Sequence, residues 1–562
     1  MLDSPHARHG GLFILGAVCL AALTLPLSFS AGAVATPAIG RDLGGSAAAL
    51  TWITNAFMLT FGGLLMTAGT LADRYGRKRI FITGVATFTA FSVALGLAPT
   101  VWLIDLLRAG QGVGAAAALA GGSAALAQEF DGQTRTRAFS LLGSTFGVGL
   151  ALGPVVTGLL IESVGWRAIF LTSAAVGTAA LALGLPHMRE TRDPAASSLD
   201  WPGAVSFTAT LTTFTVAMIM SSAIGWQSPA MLALGLAFII FLVAFVLIEL
   251  RASRPMLDLS LFRYPRFVGV QLLPIATCAC FVVLLVILPL RFIGVEGRSE
   301  VEAGYLMLAL CAPTLVVPII AATLARRFSA GALSGAGLLT AAVGLLWLGA
   351  VDVGSGRSAI LPMLLIGAGS GLPWGLMDGL SVSVAPKERA GMATGIFGTV
   401  RVAGEGVALA TVSATLAVLI AANLHHVADL PDTVLAQAGQ RLAVGDVAGA
   451  TGLGLDSSTL RHAYQMAFTT LSRMLAGITT LCAIAVFSLL AGQVEADAAT
   501  AASPRAIPTC GRPSPRTWTC RWNGTRPRAR CSPPAFSTRR STPSWRPRAS
   551  SASTTRWACR TR

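Results

Sequence analysis

The chain has 562 residues, of which 54% are hydrophobic and only 12% charged, with a mean hydropathy of +0.69. No soluble globular class combines that length with that apolar content. The formal charge of +16 does not mark a nucleic-acid binder either, because fourteen of the positive charges are arginines of residues 501–562, leaving +2 for everything before them.

Apolar runs of about 18 or more residues can cross a hydrocarbon core about 30 Å thick at 1.5 Å per residue. Fourteen such runs are predicted, at about 11–38, 48–70, 80–99, 101–127, 136–161, 167–186, 202–222, 228–249, 267–290, 302–324, 331–350, 358–384, 391–422 and 464–491. The first exceeds the apolar core of a secretory signal, so it is read as a retained span despite the small residues Ala31, Ala33 and Ala35 after it. Pro154, Pro274, Pro373 and Gly147 inside the runs are compatible with membrane helices, whose neighbours satisfy the freed backbone groups. Bases cluster after even-numbered runs: Arg74/Arg77/Lys78/Arg79, Arg135/Arg137, Arg251/Arg254/Arg263/Arg266, Arg326/Arg327 and Lys387/Arg389. By the positive-inside rule these turns and both termini are expected in the cytoplasm of a bacterial plasma membrane.

After the last run the composition breaks. Residues 501–562 have no Asp, Glu, Lys, Leu or Val, and cannot bury a core. Disorder is expected for this tail, which reads either as a GC-rich gene translated out of frame or as a basic segment held to anionic lipid. Cys510, Cys520, Cys531 and Cys559 match no zinc spacing, while Cys19, Cys278, Cys280, Cys311 and Cys482 lie in apolar runs and read as small hydrophobes. No metal and no cofactor is expected. The chain's two lysines, Lys78 and Lys387, sit in no nucleotide-binding loop, so ATP-driven transport is excluded. No hydrolase or kinase motif occurs, and an enzyme is not expected.

Gly69-Thr-Leu-Ala-Asp-Arg-Tyr-Gly76 after the second run is echoed by Ala322-Thr-Leu-Ala-Arg-Arg-Phe-Ser329 after the tenth. The echo suggests two six-helix halves with runs seven and eight inserted between them, the general plan of secondary transporters. The expected fold is therefore all-α. It comprises an N-terminal bundle over 1–190, two linker helices over 191–262, a C-terminal bundle over 263–495 with an outer loop near 424–462, and the tail over 496–562.

GTLADRYGRKR at Gly69 to Arg79 resembles the loop motif between helices two and three of the major facilitator superfamily. That resemblance implies that Gly69 permits close helix approach, that Asp73 pairs with a helix end of the facing bundle, and that Arg74, Gly76, Arg77, Lys78 and Arg79 complete a cytoplasmic latch. LLRAGQGVGAAAA, carrying Arg108, resembles the family's fourth-helix motif. GVGLALGPVVTG resembles the fifth-helix motif of its antiporters, with Gly149, Gly153, Pro154 and Gly158 allowing a bent helix to pack tightly. SSLDWPG, PMLDLSLFRYPRF and the two extra runs narrow the resemblance, over about residues 10–495, to the fourteen-span drug:proton antiporter branch. The chain departs from that branch in the first helix, where Ser28 stands at the place of its usual Asp and Ala33 at that of its Asn; in the sixth, Ser173 and Ala175 replace Asn and Pro.

A proton must then ride elsewhere. Ionisable groups within spans cost about 2.5–3.5 kcal/mol on insertion scales and are functional candidates. Asp105 and Arg108 lie one turn apart, Arg401 and Glu405 share a helix face, and Asp378 falls near the cytoplasmic end of run twelve. Asp105 is the first choice for the coupling acid and Glu405 the second, the alternative for Asp105 being a permanent ion pair with Arg108. Ser28, Phe29, Trp52, Phe57, Phe61, Phe146, Trp374 and Met377 are candidates for the cargo cavity. The function expected is a proton-coupled exporter of amphipathic drugs or a secondary metabolite, working as a monomer. An uptake symporter and a transport-inactive membrane sensor are the alternatives.

Overall fold

The computed structural model describes residues 5–130, 132–192, 200–225, 228–252, 259–325, 327–384, 390–427 and 430–490, and in the tail 510–514, 517–520, 544–548 and 556–560. Arg254, Arg326, Lys387 and Arg389, like Cys531 and most of the tail, lie outside the described residues.

Among the described residues, fourteen helices are long and apolar enough to cross a membrane, as expected. They run Gly11–Leu43, Ala47–Tyr75, Arg77–Gly96, Val101–Glu129, Arg137–Ser163, Arg167–His187, Trp201–Ser221, Pro229–Arg251, Pro265–Val295, Glu300–Leu324, Ala330–Gly349, Gly356–Ser381, Ile396–His425 and Ser457–Leu490, numbered spans 1 to 14 below. Local chemistry sets several starts: the side chains of Ser46, Thr100, Ser228, Ser299 and Ser329 each accept a hydrogen bond from a backbone N–H three residues on. Successive spans alternate in direction, so one face carries the turn at Gly76 and the opposite one Arg41.

Spans 1–6 and 9–14 pair in the same order. Spans 3 and 4 meet backbone to backbone, since a Cβ on Gly84 would lie 2.4 Å from the Ala118 nitrogen and one on Gly114 would lie 2.5 Å from that of Phe88. Spans 11 and 12 repeat the device, with a Cβ on Gly369 meeting the Ala341 nitrogen at 2.5 Å. Lipid removes the hydrophobic drive for helix association, and such small-residue contacts supply dispersion instead.

Span 9 departs from a plain helix, with π-helical turns at Cys278–Val282 and Leu290–Val295. It is the most enclosed span because spans of both halves pack around it. Inserted span 7 lies against spans 2 and 13, over the seam between the halves. Span 8 packs on span 7 and exposes Leu232, Leu236, Ile239 and Ile240. The outer loop expected near 424–462 holds a helix at Asp432–Ala443, the lid helix below, and a short turn of helix at Val447–Thr451.

Residues 492–562 form a separate unit. Its described residues form two antiparallel hairpins, β1 (Cys510–Ser514) with β2 (Thr517–Cys520) and β3 (Ser544–Arg548) with β4 (Arg556–Arg560), where composition alone argues for disorder.

Candidate transport site and gates

At the Gly76 face the charged turn closes on its own half. Asp73 Oδ1 accepts from Arg77 Nε at 3.0 Å and Nη2 at 2.8 Å, and Arg77 Nη1 donates to Gln128 Oε1 at 2.7 Å. The expected pairing of Asp73 with the facing bundle is not formed among the described residues; Arg77, one helical turn further on, captures the carboxylate first. Gly76 adopts φ +119°, and a Cβ there would sit 2.2 Å from a Glu190 carboxylate oxygen, so only glycine fits this turn. The Arg77 N–H bonds the Thr191 carbonyl at 2.9 Å and Arg79 lies 3.6 Å from Glu190, tying the turn to the chain after span 6. Arg74 rests 5.4 Å over the Tyr75 ring, and Lys78 is half-buried. A Cβ on Gly69 would meet nothing within 4 Å, so the close helix approach expected there is not made.

The Arg41 face is shut across the two halves. Arg41 of span 1 pairs with Glu300 of span 10, and Glu162 of span 5 accepts the Val301 N–H at 3.0 Å. A Cβ on Gly158 would lie 2.4 Å from the Glu300 carbonyl oxygen, and one on Gly304 would lie 2.8 Å from that of Pro154. The fifth-helix motif is thus divided between two partners. A Cβ on Gly149 would strike Pro26 at 2.4 Å and one on Gly153 would strike Ser30 at 2.8 Å, both on span 1 of the same half.

Arg108 is fully buried and turns away from Asp105. Its Nε donates to the Ile53 carbonyl at 2.8 Å, Nη1 to Gln111 at 2.6 Å and Nη2 to the Ser28 carbonyl at 3.2 Å, with the Phe57 ring 4.5 Å beneath. The permanent Asp105–Arg108 pair is therefore not what the structure forms: the backbone of the first two spans and the Gln111 amide have taken the guanidinium. One Asp105 carboxylate oxygen is buried without a hydrogen-bond partner, and its neighbours Trp102 and Leu106 are 72% and 55% exposed.

The other three charged candidates come together. Arg401 lies 3.6 Å from Asp378, 3.9 Å from Glu405 and 5.0 Å over the Trp374 ring, which meets Phe281 edge-on at 5.5 Å. Beside Glu405, a Cβ on Gly62 of span 2 would lie 2.7 Å from the Ala403 backbone, and the Cys278 thiol reaches the Gly404 carbonyl at 3.9 Å. Glu405 thus sits at the seam, about a third of the way along span 13 from its Gly76-side end. Asp378 is 71% exposed toward the Gly76 end of span 12. Of the cargo candidates, Ser28, Phe29, Phe57, Phe61 and Met377 are buried, whereas Trp52, Phe146 and Trp374 are half-buried. A separate cavity of about 40 Å³ near the Arg41 face is lined by spans 1, 2, 7, 9 and 13 and the lid helix.

Sequence reasoning missed the ion pair of Arg291 with Glu296, 2.9 Å apart and only 1% and 0% exposed. Arg291 also donates to the Val351 carbonyl at 3.1 Å and lies 4.6 Å over Phe468. The predicted span stops one residue short of Arg291, and the π-turn that continues the helix to Val295 has no sequence signature. Outside the spans, Arg298 bonds Glu296 and Glu302, and the Glu296 hydrogen bond raises its pKa further.

Two groups of six helices paired in one order, joined at a central seam that carries charge, have the architecture of a secondary transporter. The chain belongs to the Major Facilitator Superfamily, whose model matches residues 18–409. It is 31% identical over 408 residues to Multidrug resistance protein Stp of Mycobacterium tuberculosis, covering 71% of this chain and 75% of that one. It is 31% identical over 383 residues to the Tetracenomycin C resistance and export protein of Streptomyces glaucescens, covering 68% and 71%. Among solved structures, a bacterial homologue of the human lysosomal transporter Spinster, in an inward-facing and unoccupied conformation, shares the fold with a TM-score of 0.60 at 17% identity, covering 88% of this chain and 98% of that one.

Proposed function

We propose that the protein is a proton-coupled exporter, exchanging protons for amphipathic small molecules by alternate opening of its two faces, with the Gly76 face and both termini in the cytoplasm. The resistance and export named for its relatives supports the direction, and the basic turns of the Gly76 face support the orientation. The observation that carries the coupling is Arg401 held between Asp378 and Glu405 at the seam. When Glu405 takes a proton, Arg401 keeps Asp378 as its sole carboxylate partner of the two, which favours one arrangement of span 13 against span 12; releasing the proton restores the shared state. Glu405 is better placed than Asp105, whose neighbours Trp102 and Leu106 are exposed on the outside of the bundle and not at the seam. One proton crossing about 100 mV supplies about 2.3 kcal/mol, enough for a cargo gradient of about 40-fold.

The test uses everted membrane vesicles energised to be acid inside, with an internal pH dye and ethidium or tetracenomycin C as cargo. Cargo should alkalinise the lumen with the wild-type protein and with Asp105→Asn, and not with Glu405→Gln. Undiminished exchange by Glu405→Gln at normal membrane abundance removes that residue from the mechanism; co-acidification would mean symport.

A further inference from the structure

Each half ties the Arg41-side end of its first helix to the same three neighbours. In the N-terminal half, Asp42 of span 1 accepts from Trp166 Nε1 at 3.0 Å and Arg167 Nη1 at 2.8 Å, both at the start of span 6. Arg167 lies 4.3 Å over the Trp166 ring and reaches the Ala98 carbonyl, between spans 3 and 4, at 3.5 Å. In the C-terminal half Glu296 stands in the place of Asp42, just past span 9, and accepts from Arg291 and Arg298, each at 2.9 Å. Arg291 lies over Phe468 of span 14, and the two arginines reach the Val351 and Gly354 carbonyls, between spans 11 and 12, at 3.1 and 2.8 Å. The two ties differ in burial. Asp42 and Arg167 are 48% and 42% exposed, whereas Glu296 and Arg298 are 0% and 17% exposed.

Both ties adjoin the contacts that shut the Arg41 face. Arg41 precedes Asp42, and its partner Glu300 follows Arg298 by two residues, with Val301, the donor to Glu162, one further on. Between Glu296 and Glu300 the chain turns through Gly297 at φ +70°. Arg298 fastens that turn: its backbone N–H donates to the Phe292 carbonyl at 2.9 Å, and its remaining side-chain bond goes to Glu302 in the first turn of span 10. Its guanidinium thus serves the end of span 9, the start of span 10 and the turn before span 12. It lies against Gly356, where a Cβ would come within 2.7 Å of its central carbon.

We infer that Arg298 is a positioning residue for closure of the Arg41 face, holding residues 299–302 on their own half so that Glu300 and Val301 are in place to meet spans 1 and 5. Asp42 with Arg167 does the same for Arg41, more weakly because solvent reaches that pair. Each tie lies within one half, so it need not break when the halves part; it acts through the order it imposes beforehand. Without Arg298, residues 299–302 must be ordered each time the face shuts, a cost borne by the closed arrangement alone. The inference rests on alternate opening of the two faces and not on proton coupling.

The test is maleimide labelling from the Arg41 side of Ser413→Cys, which lines the cavity on that face, in a background lacking the native cysteines and without a proton gradient. Arg298→Lys keeps the charge but loses the planar fork, and should raise labelling about fivefold or more, the scale of fixing one residue's backbone. On a Gly158→Ala background, where the Glu300 backbone no longer seats against span 5, the same change should add less than about twofold, whereas a general loosening of the half would multiply in full. Asp42→Asn should raise labelling less than about twofold. Labelling by Arg298→Lys within about twofold of the parent, or full multiplication with Gly158→Ala, overturns the inference; a larger effect of Asp42→Asn overturns the ranking of the two ties. Should Arg298→Lys not fold, Gly356→Ala, whose Cβ displaces the guanidinium, carries the same expectation and the same refutation. A labelling effect without cargo exchange in vesicles counts against the export reading alone, and exchange without a labelling effect against this inference alone.

Discussion

Replacing Gly158 with alanine should open the Arg41 face. The added Cβ would lie 2.4 Å from the Glu300 carbonyl oxygen, 2.8 Å from its carbon and 3.1 Å from the Val301 Cα. These are backbone atoms of span 10, which cannot swing aside as a long side chain can, so spans 5 and 10 must separate by about 1 Å to restore ordinary contact. The Glu162 bond to the Val301 N–H, at 3.0 Å, and the Arg41–Glu300 pair lie within a few residues of the clash and stretch with it. Overpacking of this kind costs about 1–3 kcal/mol, and the open arrangement escapes it, so its share relative to the closed one should rise about 5- to 150-fold. The assay is labelling by a membrane-impermeant maleimide added from the Arg41 side, with a single cysteine at Ser413 in a background lacking the nine native cysteines. Labelling that stays within about twofold of the parent, at equal membrane abundance, would refute the reasoning that backbone contact between spans 5 and 10 holds this face shut.

Arg41→Gln should raise the same labelling far less, by about fivefold at most, because Arg41 is 62% exposed and a solvated pair contributes about 0–1 kcal/mol; a larger rise would make the ion pair the principal lock. Gly76→Ala should lower the thermal midpoint of the purified protein, and adding Glu190→Ala should recover only the part due to the carboxylate clash, since the strain of φ +119° remains. Complete recovery would show that the backbone conformation costs nothing. Gly149→Val should reduce folded yield without changing Ser413 labelling in what does fold, because its clash with Pro26 lies within one half; increased labelling would contradict that division of span 5.

The number of spans was legible because each crossing writes its own run of apolar residues, with no dependence on its neighbours. Boundaries moved where helices outlast their apolar runs: span 14 begins at Ser457, seven residues before the predicted start at Tyr464. The charged cluster was partly legible, since Arg401 and Glu405 are one turn apart, but the approach of Asp378 depends on how two helices pack. The destination of Arg108 was not legible at all. Its three acceptors are backbone carbonyls of spans 1 and 2 and an amide, and a carbonyl freed toward a neighbour leaves no residue-type signal. The cavity near the Arg41 face escaped for a similar reason, its polar lining being threonines, an asparagine, a serine and a glutamine scattered over four segments, none of which stands out in its own window.

The seam between the halves is bridged on one side by spans 5 and 10 and on another by spans 2 and 13, yet only the second is covered by an inserted helix. Span 7 lays Leu211 and Thr215 beside Asn55, Met58, Ala403 and Gly406, around a small gap in the span 2–span 13 contact. Thr208 of the same span donates to the Gly63 carbonyl at 3.3 Å, so the cover is attached to span 2. If the two halves rock, span 13 must slide under span 7 while span 2 carries it along, and the residues that span 7 offers to span 13 must be ones that slide. Glu405 stands one residue from Gly406 in that contact. On the proposed mechanism a change in its charge falls where the halves move past each other, beside Gly406 and Ala403, which leave little bulk in the way.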